Sequence, residues 1–106
     1  MHIEDFVPVG HENAIKLNDL IAKTGMDNRK CRDMISRYNT RGEGLIINIQ
    51  DGAGYFIPSE TEQELVEIWM RLHISRIREE HKIIQAARAK LSIDPNQMEF
   101  EFVWES

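Results

Sequence analysis

Between residues 23 and 41 the chain carries six basic side chains, Lys23, Arg29, Lys30, Arg32, Arg37 and Arg41, against two acids, Asp27 and Asp33. The chemistry open to such a stretch is recognition of phosphates and base edges. A guanidinium or carboxamide offers paired donors, or a donor and an acceptor, to the edge of a base, whereas an isolated cation neutralises a phosphate without reading sequence. On that ground Asn28, Arg29, Arg32 and Ser36 are the candidate base readers, and Lys30, Arg37 and Arg41 the candidate phosphate contacts. Asp33, on the same face, would either accept from a cytosine amino group or hold an arginine in place. Asn48, Gln50 and Gly52 are expected to add phosphate contacts from a β-hairpin wing.

Other chemistries find little support. His73 and His81 stand eight positions apart, about 12 Å along a helix, too far to share a metal. Gly52-Ala53-Gly54 lacks the lysine and following helix of a phosphate loop. Glu79 and Glu80 are helix neighbours pointing about 100° apart, which describes solvated charges rather than an acid–base pair. The single cysteine, Cys31, rules out an internal disulfide and a cysteine-based zinc site, and reads as a small core residue. No metal or cofactor is expected, and no enzyme.

The net charge of −5 opposes nucleic-acid binding until its distribution is considered. From residue 58 onward six basic residues meet ten acids, so the acidity lies largely outside the 23–41 stretch. Apolar runs reach three residues at most, and the opening Met1-His2-Ile3-Glu4-Asp5 has none of the character of a secretory signal. The expectation is a cytoplasmic protein without a membrane partner.

The elements that would position these residues follow from periodicity and punctuation. Ile3, Phe6 and Val7 predict a short first helix ended by Pro8-Val9-Gly10. Ala14-Ile15-Lys16-Leu17 reads as a small strand, and Asn18 as the cap of a second helix over residues 19–24, which Gly25 ends. Asp27 caps a third helix reaching about Asn39, with Cys31, Ile35 and Tyr38 recurring on one side and Arg29, Asp33, Ser36 and Thr40 on the other. Leu45-Ile46-Ile47-Asn48-Ile49 and Tyr55-Phe56-Ile57 read as two strands of a hairpin around an Asp-Gly step. Ser59-Glu60-Thr61-Glu62 has the spacing of a capping box and predicts a long helix running to about Leu91. Its wide apolar stripe is expected to pack first on the domain and then on a partner chain.

The fold class expected is therefore α+β, mainly α: a winged helix over residues 1–58, a long dimerising helix over 59–92 and an extended tail over 93–106. The stretch from Ala14 through Thr24-Gly25 and Arg29/Arg32 to Ile35, with Gly44-Leu45-Ile46-Ile47 and Gly54-Tyr55-Phe56-Ile57, resembles the winged helix–turn–helix proteins of Firmicutes phages and prophages. It departs at Ile21, where such motifs usually carry alanine. The resemblance implies a transcriptional regulator that reads duplex DNA with its third helix. A homodimer of that kind would place two such helices on successive major grooves.

The tail offers another reading. Gln97-Met98-Glu99-Phe100-Glu101-Phe102 partly resembles the peptide by which bacterial proteins dock on the replicative sliding clamp, with Gln97, Met98, Phe100 and Phe102 as its contacts. That would make the chain a replication or repair adaptor. The same alternation also suits a strand packed on its own domain. A third alternative is a winged helix used only between proteins.

Overall fold

The computed structural model describes residues 1–91. Two compact units divide the chain, Met1–Leu72 and His73–Ser106. The regular elements are a 3-10 turn at Ile3–Phe6, a second at His11–Asn13, and three α-helices: α1 (Leu17–Thr24), α2 (Asn28–Thr40) and α3 (Gln63–Leu91). The tail residues expected to contact a partner, Gln97, Met98, Phe100 and Phe102, lie outside the described residues.

The predicted first helix is a single 3-10 turn, so the expected third helix is α2. α1 starts at Leu17, two residues before its expected start. Asn18 lies in its first turn, and the extended Lys16 precedes it without a side-chain cap. Gly25 ends α1 in the left-handed region at φ 73°, its N–H bonded to the Ile21 carbonyl. Thr24 reinforces the corner: its hydroxyl donates to the Leu20 carbonyl at 2.8 Å and accepts from the Met26 N–H at 3.2 Å. Asp27 caps α2, its carboxylate accepting from the Lys30 N–H at 2.8 Å.

Apolar spacing decides which side of each helix turns inward. Leu20 from α1, Cys31 and Ile35 from α2, and Ile3, Val7, Ile15 and Ile46 from the connecting segments form the core of the first unit. Met26, Met34, Tyr38, Tyr55 and Ile57 pack against it. Cys31 is fully buried, its Sγ 3.6 Å from the Thr24 hydroxyl.

The β-hairpin wing does not form, and the α+β winged-helix expectation is corrected: among the described residues the chain is helical, with isolated bridges and no strand. Residues 45–49 and 55–57 meet at one pair, in which Ile47 and Phe56 exchange N–H···O bonds of 2.9 and 3.0 Å. In the register of that pair the next rung would set Leu45 against Pro58, which has no N–H to give. On the other side it would set Ile49 against Gly54, whose φ of 108° leaves the extended region. Neighbouring backbone groups also have other partners. Asn39 takes both groups of Ile46, its Nδ2 donating to the carbonyl at 3.0 Å and its Oδ1 accepting from the N–H at 2.8 Å. Tyr55 exchanges two 2.8 Å bonds with Ile15, to which the expected 14–17 strand reduces, and Ile57 donates to Pro8 at 2.8 Å.

Glu62 ties the start of α3 to the first ten or so residues. Its carboxylate accepts from the Ser59 N–H and from the His11 N–H, each at 2.9 Å, so one half of the expected capping box forms. These two donors, Ser59 first, hold the Glu62 carboxyl below the usual glutamate value of 4.5. A lowered pKa means that folding favours the ionised form. The contribution is therefore present above about pH 4.5 and is lost as pH falls through the lower folded-state value. Glu62→Gln is expected to lower Tm at neutral pH and to shrink its fall below pH 4.5. A wild-type acid profile retained in the variant would remove Glu62 from that role.

Candidate nucleic-acid interface

α2 divides cleanly because its apolar residues recur at helical spacing. Cys31 and Ile35 are buried, while Asn28, Arg29, Lys30, Arg32, Ser36 and Arg37 are all exposed. At 100° per residue, Arg29, Asp33 and Ser36 occupy an arc of about 60° facing solvent, with Arg32 and Arg37 on either side. Arg29, Lys30 and Arg37 line one open recess of about 620 Å³ with Asp27, Asp33 and Met34. Within it Arg37 Nε lies 3.1 Å from Asp33 Oδ2. Of the two roles open to Asp33, the structure places it beside an arginine.

Arg41 follows α2 and is engaged elsewhere. Its guanidinium lies 3.7 Å from Glu4, 3.8 Å from Glu43 and 5.3 Å from the centre of the Tyr38 ring. A phosphate contact from Arg41 must compete with these carboxylates.

The 48–54 loop is held by its own side chains rather than by a strand ladder. Asn48 Oδ1 accepts from the Gln50 N–H at 2.8 Å, and Asp51 Oδ1 from the Ala53 N–H at 3.1 Å. Asp51 Oδ2 meets His11 Nε2 at 2.6 Å, and the His11 ring stands edge-on to Phe56 at 5.2 Å. The Ala53 N–H, then the His11 side chain, hold the Asp51 carboxyl below its usual 3.8. Asn48, Gln50 and Gly52 share a cleft of about 310 Å³ with Lys16, Leu17 and Gly54.

The structure therefore brings Arg29, Lys30 and Arg37 to one recess on α2 and Asn48, Gln50 and Gly52 to another at the loop, whereas Asn28, Arg32, Ser36 and Arg41 line neither. Lys16 is the cation that the sequence reading missed. It precedes α1 and lies outside the dense basic stretch, so only the bridge between Ile15 and Tyr55 brings it beside the loop.

Among the described residues no helix is long and apolar enough to cross a membrane, and no group of three metal-ligating side chains occurs. Comparison with protein-family models, curated proteins and solved structures finds no match.

Proposed function

We propose that the chain is a non-enzymatic binder of duplex DNA, acting as a transcriptional regulator of phage or prophage type in a bacterial cytoplasm. Exposed residues of α2 are its main contact, with the 48–54 loop and Lys16 as auxiliary ones. The observation that carries this reading is the division of α2: its apolar side anchors the core, and every candidate reader from Asn28 to Arg37 is left in solvent. A major groove about 12 Å wide admits one such helix, and its thirteen residues, about 20 Å long, can follow it for several base pairs. The regulator assignment rests on the motif resemblance of residues 14–35.

Pairing of two chains through α3 belongs to the same reading. None of the 29 residues of α3 is buried, and Ile74, Ile77, Ile83 and Leu91 are 46–68% exposed. A paired chain reading two successive major grooves, about 34 Å apart, would favour a two-fold symmetric site.

Fluorescence anisotropy with a labelled 20-base-pair duplex tests the proposal. From 50 to 200 mM salt the affinity of the wild type should fall steeply. Arg29→Ala with Arg32→Ala should weaken binding and relax sequence preference, whereas Lys30→Ala, which removes a phosphate contact, should flatten the log–log slope by about 0.9. Absence of wild-type binding at 50 mM salt would sink it.

A further inference from the structure

Asp33 and Arg37 stand one turn apart on α2, about 40° apart around its axis. Their 3.1 Å contact is made between side chains 53% and 73% exposed. An exposed pair of this spacing adds little to helix stability. It also sets a carboxylate on a face otherwise suited to phosphates, where that charge opposes binding. The geometry suggests what offsets this cost. The carboxylate pairs with Nε, the inner nitrogen of the guanidinium, which keeps Arg37 beside Asp33 at the edge of the exposed arc. Its two terminal nitrogens remain as a planar fork of donors. That fork matches the O6 and N7 acceptors that guanine presents in the major groove.

We infer that Arg37 is a guanine reader, and that Asp33 is the positioning residue that aims it. This assignment rests on the DNA-binding reading and moves Arg37 from the phosphate contacts to the base contacts. A phosphate accepts a cation from many directions and needs no such aim, whereas a base edge accepts a fork in one plane. Asp33 thereby lowers affinity for every duplex while raising the difference between a site with guanine and one without.

The test is enrichment of random duplexes on the purified full-length wild type, Asp33→Ala and Arg37→Lys, followed by anisotropy on the enriched duplex and on a scrambled one. Both substitutions are at exposed sites, and their folding is checked by circular dichroism. The wild type should enrich a fixed guanine. Arg37→Lys keeps the charge but loses the fork, and should lose about 5- to 150-fold in discrimination at that position while binding the scrambled duplex as before. Asp33→Ala should bind the scrambled duplex more tightly and discriminate less. A 7-deazaguanine at the enriched position, which removes the N7 acceptor, should weaken the wild type more than Arg37→Lys. Uniform tightening by Asp33→Ala with the enriched sequence unchanged would overturn the inference, as would enrichment of no guanine. Failure to bind any duplex would instead overturn the DNA-binding reading.

Discussion

Gly54→Ala is expected to destabilise the protein by about 3–5 kcal/mol. At φ 108° the backbone occupies a region where an L side chain costs about 1–3 kcal/mol. The added Cβ would also overlap the Ile15 carbonyl and lie 2.9 Å from Lys16 Cα. These are backbone atoms and cannot rotate aside as a side chain can. Relief requires drawing Ile15 away from Tyr55, at the expense of two 2.8 Å hydrogen bonds, each contributing about 1 kcal/mol net. A unit of this size has a total stability on the order of 4–11 kcal/mol, so the loss is severe. Urea denaturation followed by circular dichroism measures it. Gly52→Ala is the control, since Gly52 has φ 93° but nothing within 4 Å of its would-be Cβ. It should lose only the backbone cost, and equal losses at the two positions would remove the close approach as a cause.

Asn39→Ala should cost about 2–4 kcal/mol, through the backbone of Ile46 rather than through lost packing. Ile46 is 1% exposed, and the Asn39 carboxamide satisfies both its N–H and its carbonyl. Alanine would leave a donor and an acceptor without partners where water has little access. Asn39→Asp separates the two bonds: the carboxylate still accepts from the N–H but faces the carbonyl oxygen without a proton to donate. Its chemical denaturation midpoint should fall between those of wild type and Asn39→Ala. A loss below 1 kcal/mol for Asn39→Ala would show that the Ile46 groups find other partners.

These two positions mark where the sequence reading ended. Local signals were legible: Asp27 as a cap, Gly25 as a helix end and the Cys31–Ile35 stripe all act within a few residues of themselves. The long helix was legible too, since its periodicity is sustained over many turns. The wing was misread because the apolar runs at residues 45–49 and 55–57 reflect burial on two sides, not a hydrogen-bonded ladder. Ile46 and Ile47 are both buried, and the Ile46 backbone belongs to Asn39. Pro58 directly follows the second run. In the register set by Ile47 and Phe56 it also blocks the neighbouring rung, and that register is a tertiary fact. For the site, exposure of residues 28–37 followed from helical spacing, whereas the meeting of Asp33 with Arg37 and of Lys16 with the loop depended on rotamers and long-range bridges.

The bonds from Ile57 to Pro8, from Gly10 to Ile57 and from His11 to Glu62 also set the order in which the chain can fold as it is made. His11 and Glu62 are 51 positions apart. A nascent chain leaves the ribosome from its N-terminus, so Pro8, His11 and Ile15 emerge long before the residues that satisfy their backbone groups. Until residue 57 is free, α1 and α2 lack the segments that complete their core, and contacts this distant form slowly. That core is thus completed by residues made after both helices, and a chain stalled before Ile57 would leave the core around Leu20, Cys31 and Ile35 incomplete.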